Sequence, residues 1–210
     1  RTCDGNYLFL DIHHIVADGT SLGIILNDIN RAYSGEKLEV EEYTSYDLAL
    51  DNREALASDA YKNAENYYKS VFENAGGSIN FYPDKSGAAP TAEMYHRETS
   101  EFSVQDVKAF CKKHGITENV FFISAFGITL GKYNFRKDAV FTTIYHGRND
   151  SRLSDTVGML VKTLPVYCDF SGSTADCLNA VQQQLINSMN NDIYPFSQIS
   201  HEFNIKADAM

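Results

Sequence analysis

His13-His14-Ile15-Val16-Ala17-Asp18-Gly19 is the segment whose residue types can do chemistry. A neutral imidazole can take a proton from an attacking amine, hydroxyl or thiol. The run before it, Tyr7-Leu8-Phe9-Leu10-Asp11-Ile12, is apolar and β-prone. It predicts a buried strand that carries both histidines to its end. Alternate residues of a strand share a face, which places His14 with Leu8, Leu10 and Ile12, and His13 with Tyr7, Phe9 and Asp11. Partial desolvation on the apolar face favours the neutral ring. Asp18 is too near in sequence to orient either histidine. Its expected role is structural, capping the turn or pairing with a distant arginine. Gly19 is read as the residue that permits a tight turn.

Two blander readings compete. The histidines can be satisfied members of a core strand followed by an ordinary Asp-Gly turn. A metal site is the other, but consecutive strand residues point to opposite faces, and no Cys-x-x-Cys or His-Glu-x-x-His pattern is present. No metal is therefore expected. His146 precedes Gly147-Arg148 and reads as a strand-end histidine. His96, His114 and His201 read as surface residues.

The elements that must position these groups are legible as patterns. After Asp18-Gly19, a helix capped by Thr20 or Ser21 carries the stripe Leu22, Ile25, Leu26, Ile29 and Tyr33, and Gly35 ends it. Residues 36–58 read as loop with short helix. A second helix spans about 59–75, stopped by Gly76-Gly77. Residues 83–92 form the one linker-like stretch. A strand is expected over 95–102. Helices follow behind Ser103, closed by Gly115, and behind Thr117. The Val120–Phe126 run is apolar nearly all round, so that helix is expected to be buried. Strands at 139–145 and 159–168, the second with an edge or bulge at Pro165, precede a helix from Thr174 bearing Leu178, Val181, Leu185 and Met189. The class is α/β or α+β.

Bulk composition narrows the partners. The 210 residues hold 18 Lys and Arg against 28 Asp and Glu, a net charge of −10, so a nucleic-acid-gripping face is not expected. Any acidic carrier would have to dock on a local basic patch. Cys3, Cys111, Cys168 and Cys177 read as reduced, buried thiols. No apolar run reaches the roughly 18 residues of a membrane span. A cytoplasmic protein with no membrane association is expected. Arg1, where a methionine would start a chain, reads as the mark of a cut from something longer.

His13 to Gly19 resembles the signature of nonribosomal peptide synthetase condensation domains, within the wider group of chloramphenicol acetyltransferase-like folds. Three further stretches carry the resemblance. They are Tyr43-Thr44-Ser45-Tyr46-Asp47-Leu48-Ala49, Gly147-Arg148 with Val157-Gly158-Met159-Leu160-Val161-Lys162-Thr163-Leu164-Pro165, and Asn191-Asp192-Ile193-Tyr194-Pro195-Phe196. Lys162 stands where the family usually has Asn, and Leu160 where it has Phe.

The resemblance implies a two-lobed sandwich with a tunnel between the lobes. Residues 1–90 would be the end of the N-terminal lobe with the histidine motif, and 91–210 part of the C-terminal lobe. It implies amide formation between carrier-bound aminoacyl or peptidyl thioesters. The alternatives are a coenzyme A- or carrier-dependent acyltransferase and a non-catalytic carrier-binding fragment. His14 would be the general base or the group that positions the amine, with His13 and Gly19 beside it at the catalytic site. Asp18 would salt-bridge an arginine, for which Arg148 is the candidate. No cofactor would bind directly, because phosphopantetheine arrives on carrier domains upstream and downstream. An adenylation domain is implied in the parent chain. Strands parted from their partners would expose edges, so the chain is expected to self-associate.

Overall fold

A computed structural model describes residues 5, 7–81 and 101–206. The expected linker at 83–92, most of the expected strand at 95–102, Cys3 and His96 lie outside these residues. The chain divides into two compact units. One comprises 1–58 with 146–162, and the other 59–145 with 163–210. The boundary expected at residue 90 also lies outside the described residues, and the division itself is discontinuous in sequence.

The first unit holds helices α1 (Gly19–Tyr33) and α2 (Ser45–Ala55) and a 3-10 turn at Ser151–Leu153. Asp18, not Thr20 or Ser21, caps α1, accepting from the Ser21 amide. A carboxylate is a strong cap because it meets an orphan N–H and the positive end of the helix dipole together. Helix α2 begins at a capping box in which Thr44 and Asp47 exchange side-chain to backbone bonds.

Two expectations fail in this unit. Residues 7–13 form no regular strand, and Tyr7, Leu8 and Phe9 are exposed, Phe9 at 88%. The apolar stripe of α1 is also largely uncovered, since Leu22, Leu26 and Tyr33 are exposed and only Ser21 of the helix is fully buried. The cause is the same in both places. β-propensity and amphipathicity are realised only against a partner surface, and no strand pairs with residues 7–13 among the described residues.

Among the described residues the second unit is a two-stranded sheet covered on both faces. It contains α3 (Asp59–Phe72), α4 (Val104–His114), α5 (Glu118–Tyr133), β1 (Asp138–Tyr145), β2 (Lys162–Asp169), α6 (Thr174–Asn190) and α7 (Phe196–Phe203), with the first residue of β2 counted in the other unit. The Phe170 amide donates to the Lys137 carbonyl, joining the end of β2 to the start of β1, so the strands are antiparallel. Strand alternation sorts the core into two clusters. Ala139, Phe141, Val166 and Cys168 pack with α4, α5 and α6, while Val140 packs with Ala64, Tyr68 and Phe72 of α3 and Ile199 of α7. Ser103 and Ser173 start α4 and α6 with capping boxes, and Gly115 closes α4 in the left-handed conformation.

Helix α5 is buried on one face only. Ile123, Gly127 and Leu130 face the sheet, whereas Phe122 and Tyr133 are exposed. Its approach to the sheet depends on glycine. A β-carbon at Gly131 would lie 2.5 Å from the Phe170 ring and 2.8 Å from the Asp138 carbonyl oxygen. Gly23 in α1 has nothing within 4 Å of that position. Gly131→Ala should therefore destabilise the chain by about 1–3 kcal/mol through overpacking. Gly23→Ala should stabilise it by about 0.5–1 kcal/mol, because alanine favours a helix. Urea unfolding followed by circular dichroism separates the two signs.

Candidate active site

The site is built around Asp18 at the start of α1. Its Oδ1 accepts from the Ser21 amide at 2.8 Å, the Ser21 hydroxyl at 2.9 Å and Arg148 Nη2 at 3.1 Å. Oδ2 accepts from the Leu160 amide at 3.1 Å and from Arg148 Nη2 at 3.3 Å. Asp18 is 1% exposed and the Arg148 side chain 6%, so this is a buried ion pair. Arg148 Nη1 donates to two carbonyls, Leu153 at 2.6 Å and Thr156 at 2.7 Å, while its buried Nε meets no hydrogen-bond partner among the described residues. Burial alone would raise the Asp18 carboxyl. The bonds from Ser21, Leu160 and Arg148 outweigh it and hold the group below the ordinary aspartate value.

Ser21 closes the network and is the residue that sequence reasoning missed. It is fully buried, and its hydroxyl accepts from the Gly158 amide at 3.0 Å and from Arg148 Nη2 at 3.1 Å. Its single proton can go to Asp18 Oδ1 or to the Gly158 carbonyl at 2.8 Å. The Asp18 amide also donates to the Gly158 carbonyl at 3.3 Å. A serine three residues after an N-cap aspartate was the available signal, but it read as a rival cap. Together these bonds fasten the turn that follows the histidines to residues 158–160.

Gly147 makes the close approach possible. Its φ is +69°, and a β-carbon there would stand 1.8 Å from the Leu160 carbonyl oxygen. No other residue fits this position without moving the backbone. The surrounding loops are pinned as well. Thr156 donates to the Tyr43 carbonyl at 2.6 Å, Glu41 accepts from the Val157 amide at 3.0 Å, and Arg152 lies 4.3 Å over the Tyr43 ring. Burial, and then a hydrogen bond to Asp51, push the Tyr43 phenol up to about 12. The Tyr43–Ala49 stretch thus acts as scaffold: it presents a carbonyl, a ring and a capping box.

The histidines sit on the surface of this scaffold. His13 to Val16 form a turn in which the Val16 amide donates to the His13 carbonyl at 3.1 Å. The His13 ring is engaged locally, its Nδ1 accepting from the Ile15 amide at 3.1 Å, so its remaining nitrogen, Nε2, is free to donate. His14 is exposed, and no hydrogen bond engages its ring among the described residues. The expected desolvated face for His14 is therefore not present. The turn has replaced the strand that would have supplied it. Gly19 also departs from expectation. It is the first residue of α1, and a β-carbon there would meet nothing within 4 Å. His146 repeats the His13 arrangement, its Nδ1 accepting from the Arg148 amide at 3.0 Å. Lys162 is half-buried at the start of β2.

Other motif residues serve the second unit. Tyr194 is buried against Tyr61 and Tyr68, and Pro195 precedes the first residue of α7. A cleft of about 660 Å³ in the first unit is lined by residues including Asp28, Arg31, Glu39, Tyr43 and Arg152, and by neither His13 nor His14. Among the described residues no three His, Cys, Asp or Glu side chains gather to hold a metal ion, and no helix is long and apolar enough to cross a membrane.

The Asp18 network makes a pH-dependent prediction. A carboxyl lowered in the folded state stabilises above its unfolded pKa, about 3.9, and the contribution is lost as pH falls through the lower folded value. Asp18→Asn leaves Arg148 buried without its counter-charge and should cost about 3–5 kcal/mol near neutral pH. The gap between wild type and variant should begin to narrow only below about pH 4, and it should close only below the lower folded value of Asp18, where both side chains are neutral. Urea titrations between pH 3 and 7 measure it, and a gap constant across that range would contradict the ionised pair.

Comparison with known proteins places the chain in a family. The condensation domain family matches residues 1–210. Bacitracin synthase 2 of Bacillus licheniformis is 26% identical over 208 residues, covering 96% of this chain and 8% of that protein. Tyrocidine synthase 3 of Brevibacillus parabrevis is 27% identical over 210 residues, covering 96% and 3%. The chain thus spans less than a tenth of these curated relatives. Among solved structures, SgcC5 of Streptomyces globisporus aligns with a TM-score of 0.76 at 22% identity, covering 91% of this chain and 45% of that one. The first condensation domain of the calcium-dependent antibiotic synthetase aligns with a TM-score of 0.73 at 17% identity, covering 91% and 44%. The fold is the chloramphenicol acetyltransferase-like α/β fold of these two structures, over just under half of their length, and the chain belongs to the condensation domain family.

Proposed function

We propose that this chain is the histidine-bearing part of a peptide-bond-forming condensation domain in a nonribosomal peptide synthetase. The observation that carries the reading is the buried Asp18–Ser21–Arg148 network directly behind the His13–His14 turn. A buried charge pair is costly to maintain, and here it fixes the backbone next to two exposed imidazoles.

The reaction is acyl transfer. The acceptor amine attacks the donor thioester carbonyl, the nitrogen loses a proton, the C–S bond breaks, and the released thiolate takes up a proton. His14 in its neutral form takes the amine proton or holds the amine by one hydrogen bond. His13 can only donate outward, because its Nδ1 already accepts from Ile15. Asp18 and Arg148 act as positioning residues. The substrates are thioesters on phosphopantetheine arms of carrier domains. An adenylation domain in the same synthetase loads them, a reading supported by one solved structural relative, a four-domain nonribosomal peptide synthetase bound to AMP and glycine. The protein works in the cytoplasm.

The exposed Tyr7–Leu10 run and the uncovered face of α1 favour a second reading for the isolated chain. By itself it is a non-catalytic fragment that covers this face by self-association. Sedimentation velocity should show mass rising with concentration, and a monomer throughout would contradict it.

The catalytic reading is tested in the synthetase module that contains this segment, with both carriers loaded. His14→Ala should lower the rate of amide formation about 10²–10⁴-fold with carrier loading unchanged. An unchanged rate would remove His14 from the reaction.

A further inference from the structure

We propose that Cys168 and Cys177 form an oxidisable dithiol that closes to a disulfide and staples β2 to α6. Their Sγ atoms lie 3.4 Å apart, and both residues are buried, at 0% and 2% exposure. The eight intervening residues give no redox motif, so the pair exists only in the fold. Cys111, Cys168 and Cys177 are buried free thiols, as expected, and the pairing of two of them adds to that reading.

Several contacts hold the sulfurs together. Cys168 lies on β2 and Cys177 in the first turn of α6. Gly127 of α5 leaves the space that the Cys168 side chain fills, since a β-carbon there would stand 2.9 Å from Cys168 Sγ. The connecting turn is fixed at both ends. Asp169 accepts from the Ser171 amide at 2.8 Å, and Ser173 caps α6 in a box with Asp176. The S–S bond of a disulfide is about 2.0 Å, so closure needs a shift of little more than 1 Å. The shared hydrogen bond holds Cys177 below the ordinary thiol value and, with burial, raises Cys168. Cys177 lies in the first turn of α6, where the positive end of the helix dipole favours an anion, and is the attacking thiolate.

With a small disulfide such as oxidised glutathione the steps balance. The Cys177 thiolate attacks one glutathione sulfur, breaks its S–S bond and expels one glutathione thiolate. Cys168 then loses its proton, attacks Cys177 Sγ and expels the second. The protein loses two protons and two electrons, and the reagent becomes two thiols. Burial limits access to locally opened molecules, so the reaction should run slower than at an exposed thiol.

The test uses the whole 210-residue chain and does not depend on the catalytic reading. After incubation with oxidised glutathione, the protein is alkylated with N-ethylmaleimide in denaturant, digested with trypsin and weighed. Residues 163–206 form one tryptic peptide containing both cysteines. That peptide should be about 2 Da lighter than the reduced form and carry no alkyl group, while Cys111 alkylates. Cys177→Ser should abolish the loss, and the wild-type map decides the matter even if the variant misfolds. Recovery of Cys168 and Cys177 as two alkylated thiols, or with glutathione still attached, would overturn the proposal.

Discussion

The ion pair between Asp18 and Arg148 is the constraint on which the candidate site depends. One carboxylate caps α1, neutralises a buried guanidinium and accepts from the Leu160 amide. Arg148 in turn gathers the carbonyls of Leu153 and Thr156. Residues far apart in sequence thus share one polar knot, and Ser21 leaves no acceptor in it idle. Such a knot stabilises less than a hydrophobic core of equal volume would. Its value is that one arrangement pairs its two charges and slipped ones do not.

The consequence for chemistry is a division of labour. On the proposed reading the buried residues position the turn, and the exposed imidazoles meet the amine. His13 and His14 sit on a short turn whose downstream end is nailed to residues 158–160. A positioned amine gains most of its advantage from geometry, so a rigid backbone behind a small, movable ring suits either assignment of His14. Gly147 belongs to the same account, because its positive φ lets the Arg148 loop approach the Leu160 backbone.

Much of this was legible in the sequence, for stated reasons. Capping residues, apolar spacing and terminal glycines located α1, α3, α4, α5 and α6, because each signal is local. The Asp18–Arg148 partnership came from the resemblance and not from spacing, since nothing local links positions 130 residues apart. Residues 7–13 were misread because a β-prone run becomes a strand only beside another strand. The all-round apolar run of α5 hid the fact that Phe122 faces outward. The reach of Ser21 to Gly158 and Arg148 and the Cys168–Cys177 contact were not legible for one reason: both are defined by partners that only the fold brings near.

A double-mutant cycle on Asp18 and Arg148 tests the central claim most directly. Asp18→Asn, Arg148→Met and the double variant are unfolded in urea near neutral pH. A buried, mutually dependent pair predicts strong coupling, with the double variant no worse than either single one and an interaction energy of about 3 kcal/mol or more. Additive losses, within about 0.5 kcal/mol, would mean that the two charges do not hold the site together.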